Sequence, residues 1–209
     1  MTMRISERGA RDATAVSPVE AAFVTELSRK TIDQAIDRRE VRPLPARGAG
    51  GPPRALGYAE LVYLRVRREV AKTLSAAARR TLYAELRRSL PGNPRLGNVE
   101  IGLVTVTLTN AVAEVRSRLA RLLRAHRYVS IRPDVRAGEP VVRGTRVPVH
   151  VLADLADQGA SREELLEDYP AVTPDALEAA LLYARLHPRR GPRRPAPWHA
   201  TQSTKPNAG

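Results

Sequence analysis

Along most of this chain the apolar positions recur three and four residues apart, the period of an amphipathic helix, and one stretch departs from it. Val19, Ala22, Phe23 and Leu27 make the first helical face, and Ser17-Pro18 before them reads as an N-cap followed by proline at the first helical position. Ser28 then caps a second helix, Arg29 to Arg38, with Ile32, Ala35 and Ile36 inward. Helical spacing resumes over Tyr58 to Val70 through Leu61 and Leu64, and over Ser75 to Leu90 through Ala78, Leu82 and Leu86. On that last helix Arg79, Arg80, Arg87 and Arg88 read as a solvated face. The run Pro91 to Gly97, PGNPRLG, breaks the pattern and reads as a domain boundary. The departure follows it: Val99 to Thr109, VEIGLVTVTLT, predicts a strand that is apolar on both faces and therefore must be covered or paired. Helical spacing returns over Asn110 to Arg127 with Val112, Val115, Leu119 and Leu122.

From Tyr128 the pattern shortens. Val141-Val142, Gly144, and Val147 and Val149 around Pro148 predict a tight hairpin, with Gly144 at the turn and Arg143 and Arg146 bracketing it. Three short helices follow. The first, Pro148 to Gln158, ends at Gly159; Ser161 caps the second, which Pro170 stops; Thr173-Pro174 opens the third. The fold class expected is mainly α with short β elements. It comprises a tail (1–17), a winged helix-turn-helix (18–90), a strand–helix connector (91–127), a three-helix unit with a short hairpin (128–188) and a basic, Pro-rich tail expected to be disordered (189–209).

Charge sharpens this division. The chain of 209 residues carries a net charge of +13. Residues 1–90 hold 18 basic and 10 acidic side chains, whereas residues 128–187 hold 6 and 10, so a polyanion is expected to prefer the N-terminal half. There is no cysteine, hence no disulfide or thiolate metal site, and no run long and apolar enough to span a membrane, so a cytoplasmic location is expected. The four histidines show no metal-ligand spacing, and neither a phosphate-binding glycine loop nor a nucleophile elbow is present. No cofactor and no enzymatic activity are expected.

The two N-terminal helices make a helix-turn-helix whose outer face bears Arg29, Lys30, Thr31, Gln34 and Arg38, suited to a major groove; Arg42, Arg47 and Arg54 in the following Pro/Gly-rich segment suit phosphates. The order helix-turn-helix, wing, helix resembles the MerR-like winged helix. The apolar strand and the adjoining seam point to a homodimer built on Ile101, Leu103, Val104, Val106, Val112, Val115, Leu119 and Leu122.

The string Gly138-Glu139-Pro140-Val141-Val142-Arg143-Gly144-Thr145-Arg146-Val147-Pro148-Val149, followed by Leu165-Leu166-Glu167-Asp168-Tyr169-Pro170, Tyr183 and His187-Pro188, resembles a small family named for its unknown function, seen as the C-terminal part of VapB-type antitoxins. That resemblance implies a homeodomain-like three-helix fold and a PIN-like ribonuclease toxin as partner. The toxin-binding residues expected are then Arg143, Gly144, Thr145, Arg146 and Pro148, with Arg189, Arg190, Arg193, Arg194 and Trp198 of the basic tail reaching for the carboxylates of the toxin's active site. The function expected is an antitoxin of a type II system that inhibits its toxin and represses its own operon by binding operator DNA. The alternatives are a stand-alone MerR-like regulator with a ligand- or protein-sensing C-terminal unit, and an adaptor that binds no DNA.

Overall fold

Side-chain caps set most of the helix starts. In α1 (Pro18–Thr25) the Ser17 hydroxyl accepts the Glu20 N–H while the Glu20 carboxylate accepts the Ser17 N–H, a reciprocal capping box. Ser28 caps α2 (Arg29–Asp37), and Gly57 precedes α3 (Tyr58–Val70). Ser75 caps α4 (Ala76–Ser89). After the hairpin β1 (Asn98–Ile101) and β2 (Val104–Thr107) comes the long helix α5 (Thr109–Tyr128). Then β3 (Val129–Ser130) pairs antiparallel with β4 (Val141–Val142), with a 3-10 turn at Arg136–Gly138 between them. Three helices complete the chain: α6 (Val149–Asp157), α7 (Arg162–Asp168) and α8 (Pro174–Leu186). This computed structural model describes residues 15–44 and 54–189; Arg47, Arg190, Arg193, Arg194 and Trp198 lie outside the described residues. The fold is mainly α with short two-stranded sheets. No helix among the described residues is long and apolar enough to cross a membrane.

The predicted strand Val99 to Thr109 is a hairpin instead. Val99 faces Val106 and Ile101 faces Val104, so Gly102 and Leu103 form a two-residue turn. Gly102 takes a φ of 63° at the first turn position, which an L side chain tolerates poorly. Val99 and Val106 enter the core, while Leu103 at the tip is fully exposed and Val104 is 42% exposed.

The breaker Pro91 to Gly97 does not divide two cores. Val99, Val106, Leu108 and the inner face of α5 join the same apolar cluster as Ile32, Leu61, Leu64, Leu82 and Leu86. Val112, Val115, Leu119 and Leu122, predicted as a dimer seam, are buried within the protomer, because α5 packs on α1, α3 and α8. Val106 is likewise spent inside and Ile101 packs partly against the core, which leaves Leu103 and Val104 as the exposed apolar members of that set. The inner face of α1 also differs from the expected one: Glu20, Ala21, Val24 and Thr25 are buried, and Val19, Ala22 and Phe23 are partly so. A helix with neighbours on several sides has no single dry stripe, and the capping box draws Glu20 inward with it.

A second cluster, Val129, Val142, Val149, Leu152, Leu165, Val172, Leu177 and Ala180, forms the interior of the last three helices. The most extensive helix packing among the described residues, α5 on α8, joins the two clusters. Burying Leu122 fully inside one protomer has a testable consequence. Leu122→Ala should cost about 2–5 kcal/mol of unfolding free energy, read by urea denaturation. That loss should not change with protein concentration, whereas a residue of a dimer seam would give a concentration-dependent one.

Candidate nucleic-acid interface

The turn between α1 and α2 places an ordinary residue in the left-handed region: Glu26 has φ 57° and ψ 30°. Such a conformation costs a non-glycine residue about 1–2 kcal/mol. Its carboxylate is paired with Arg118 of α5 and stands 4.0 Å from Arg65 of α3, so the side chain that strains the turn also ties it to the scaffold.

On the outer face of α2 the two acids are neutralised within the fold. Arg29 Nε pairs with Asp33 at 2.8 Å, and Arg54 reaches Asp37 at 2.6 Å and Asp33 at 3.7 Å. Arg54, expected to hold phosphates, is therefore engaged in balancing α2. The Thr31 hydroxyl lies 2.8 Å from that of Ser28 and belongs to the cap. Lys30, Gln34 and Arg38 are exposed, and their side chains make no hydrogen bond or ion pair among the described residues. The net result is a helix face with two free cationic donors and an amide, its carboxylates already matched.

Beside this face runs a cleft of about 460 Å³ between the segment after α2 and the helices α3 and α4. Arg38, Arg39, Arg42, Arg67, Arg79, Arg80 and Arg87 line it, with Glu40 as its acid. Arg67 pairs with Glu40 at 3.0 Å, Arg79 donates to the Leu74 carbonyl at 2.7 Å, and Arg87 lies over the Tyr83 ring and 3.5 Å from Glu60. Arg38, Arg39, Arg42 and Arg80 make no side-chain ion pair among the described residues. Tyr83 forms the floor: its hydroxyl donates to Glu60 at 2.7 Å and accepts the Arg42 N–H at 3.0 Å, which fixes where the chain enters the cleft. Burial pushes the Tyr83 phenol above its ordinary pKa, so it keeps the proton it donates. The expectation of a solvated face on α4 holds for Arg80, Arg87 and Arg88, which are exposed, Arg88 pairing with Glu85, while Arg79 is half-buried; Arg79, Arg80 and Arg87 also line the cleft. The signal in the sequence is the pair of small side chains, Ala76 and Ala84, spaced around Arg80 on one helical face.

In the C-terminal unit the RGTR string closes a tight turn. The Thr145 N–H donates to the Val142 carbonyl at 3.0 Å across Gly144, whose φ is 79°. Thr145 Oγ1 donates to the same carbonyl at 2.8 Å and accepts the Val147 N–H at 3.0 Å. Arg143 folds back over the end of α5, where Nε donates to the Arg127 carbonyl and a terminal nitrogen donates to the Val129 carbonyl at 3.1 Å. Pro148 stands at the N-cap of α6 and bridges to Val141.

Residues 129–184 match the family model described as a protein of unknown function, DUF433. We call this segment the DUF433 unit after the family it is similar to. An uncharacterised protein of Sinorhizobium fredii, y4eO, is 38% identical over 91 residues, 44% of this chain and 41% of that one. The chain thus spans about two fifths of the length of that curated relative. A solved DUF433 member from Anabaena variabilis is 35% identical over 35% of this chain and 73% of its own, with a TM-score of 0.29. Rv2018 from Mycobacterium tuberculosis matches over 81% of this chain and 98% of its own at 20% identity, with a TM-score of 0.35.

The residues expected to meet a toxin divide. Arg143, Gly144, Thr145 and Pro148 are occupied in building the turn. Arg189 is likewise engaged, pairing with Glu139 at 2.6 Å and standing 3.6 Å from Asp154. Arg146 is exposed and makes no ion pair among the described residues, beside Arg132, Asp134 and Arg136. Removing the Arg143 clamp should therefore weaken the fold itself. Two charge-assisted hydrogen bonds are worth about 1.5–3 kcal/mol each at most, less where solvent competes. Arg143→Ala should lower the melting temperature of the isolated protein by several degrees, and Arg143→Lys should recover only part of that, because lysine lacks the planar fork.

Proposed function

We propose that this protein is a DNA-binding regulator of the antitoxin kind. The α1–α2 pair docks on operator DNA, and the DUF433 unit engages a PIN-like ribonuclease. The observation that carries the DNA reading is the face of α2: Lys30, Gln34 and Arg38 stand free on a helix whose own carboxylates are balanced, beside an arginine-lined cleft. Gln34 offers the paired donor and acceptor that suit an adenine edge, and Lys30 suits a guanine. Arg38, Arg42 and Arg80 supply the sequence-independent grip on phosphates.

The antitoxin half rests on the resemblance of the RGTR-containing segment, and the charge of the unit supports a protein partner over nucleic acid there. Glu163, Glu167, Asp168 and Asp175 are exposed on α7 and α8. Because the turn residues serve the fold, the binding surface falls to Arg146 and the helices around it. A second reading, a stand-alone regulator that senses a small molecule, is favoured by one feature: an open groove of about 1080 Å³ between α3, α4 and α5, where Leu90, Leu119 and Leu123 lie beside Arg87 and Arg116.

Fluorescence anisotropy with duplex DNA from the chain's own promoter tests the first half. Lys30→Ala with Gln34→Ala should reduce the preference for that promoter over a scrambled duplex by about 10- to 100-fold, the worth of one or two base-edge pairings. Arg38→Ala, Arg42→Ala and Arg80→Ala together should weaken binding to both duplexes and flatten the salt slope by about 0.9 for each phosphate no longer neutralised. Full-length protein without salt-dependent affinity for DNA would sink the reading. Co-expression with the ribonuclease of a neighbouring reading frame, read as RNA cleavage, separates the antitoxin from the stand-alone regulator.

A further inference from the structure

Glu20, His126 and His187 come from distant points of the chain and meet in one place. Glu20 lies in the first turn of α1, His126 in the last turn of α5, and His187 caps the end of α8. The Glu20 carboxylate is 5% exposed at the residue level, and its Oε2 is held by the Ser17 N–H at 2.7 Å. That leaves Oε1 facing the two rings, with His126 Nε2 at 2.9 Å and His187 Nε2 at 3.3 Å. One donor atom from each of the three residues lies within 4.8 Å of the other two.

The two separations from Glu20 Oε1 fit a shared cation. Two ligands each about 2.0–2.1 Å from one Zn²⁺, at tetrahedral or octahedral angles, stand about 2.9–3.4 Å apart. The alternative, an ion pair between one carboxylate and two imidazolium rings, leaves something unexplained. His187 Nε2 is buried and has no aligned hydrogen-bond partner, although the carboxylate oxygen is within 3.3 Å. A buried imidazole nitrogen 3.3 Å from the carboxylate and without a geometrically formed hydrogen bond is a donor atom still open to a ligand. The rings are also held: Tyr183 stacks on His187 with centroids 4.4 Å apart and meets His126 edge-on at 6.0 Å. The His126 side chain is 40% exposed, so the position is open to solvent from one side.

We propose that Glu20, His126 and His187 form a site for one divalent cation of the zinc class, pinning the start of α1 to the ends of α5 and α8. Two imidazoles and a carboxylate select zinc, cobalt or nickel over magnesium and calcium, which prefer an all-oxygen shell. Three protein ligands leave a coordination position for water. The cation would close a loop from Glu20 to His187, joining α1 to the ends of α5 and α8 at the seam between the two core clusters. This inference is independent of the DNA and toxin readings.

The test uses the untagged full chain, stripped with chelator and titrated with Zn²⁺ by calorimetry. The expected result is one ion per chain and a melting temperature that rises with zinc concentration. His126→Ala or His187→Ala should weaken binding by more than about 100-fold, the upper end of what removing a merely supporting group produces. Wild-type NMR keeps the test decisive if a variant folds poorly: zinc should shift the ring signals of His126 and His187 and leave His150 and His199 in place. No zinc uptake, or uptake that moves neither of those two rings, overturns the proposal and makes the cluster a buried ion pair.

Discussion

The molecule depends on the burial of one helix from two sides. The 20-residue α5 gives Val112, Val115, Leu119 and Leu122 to the N-terminal core, and its last turn runs directly into β3, the first strand of the DUF433 unit. α1 and α3 rest on its flank and α8 packs along it. Since hydrophobic burial is the dominant favourable contribution to folding, the α1–α2 pair and the DUF433 unit stabilise each other through this shared strut. The two arginine–glutamate ties, Arg65 to Glu114 and Arg118 to Glu26, sit beside that packing and fix its rotation more than its strength.

Much of the local structure was legible in the sequence, because caps and breakers act over three or four residues. Ser17-Pro18, Ser28, Ser75, Ser161 and Thr173-Pro174 each begin a helix where expected, and Gly144 and Gly159 take the positive φ that a turn and a helix end require. Local chemistry failed where two faces were apolar. In Val99 to Thr109 alternation could not reveal that Gly102 folds the run back on itself. Likewise the 3-4 spacing of α5 said that it packs, not upon which partner.

The candidate sites were less legible than the fold, for an electrostatic reason. In an arginine-rich chain a guanidinium read from sequence can bind a ligand or stabilise the fold, and only geometry separates the two. Arg54, Arg143 and Arg189 are taken up by carboxylates or carbonyls of this molecule, while Arg80, read as surface, faces an open cleft. His126 and His187, scattered in sequence, converge because α5 and α8 run side by side. Glu20 carries no separate signal in the sequence, because a first-turn glutamate is ordinarily explained by its cap alone.

The length of α5 has a mechanical consequence. Twenty residues at 1.5 Å each make a rod about 30 Å long, rooted at one end in β3 and the DUF433 unit and flanked along its length by α1 and α3. A tilt of about 5° at the rooted end carries the other end through about 2.6 Å, close to the length of a hydrogen bond. α1 and α3 rest on the flank of that rod, so a tilt of it displaces both. Because α8 also packs along the rod, its seating is shared by both apolar clusters, and a change in either one bears on the other.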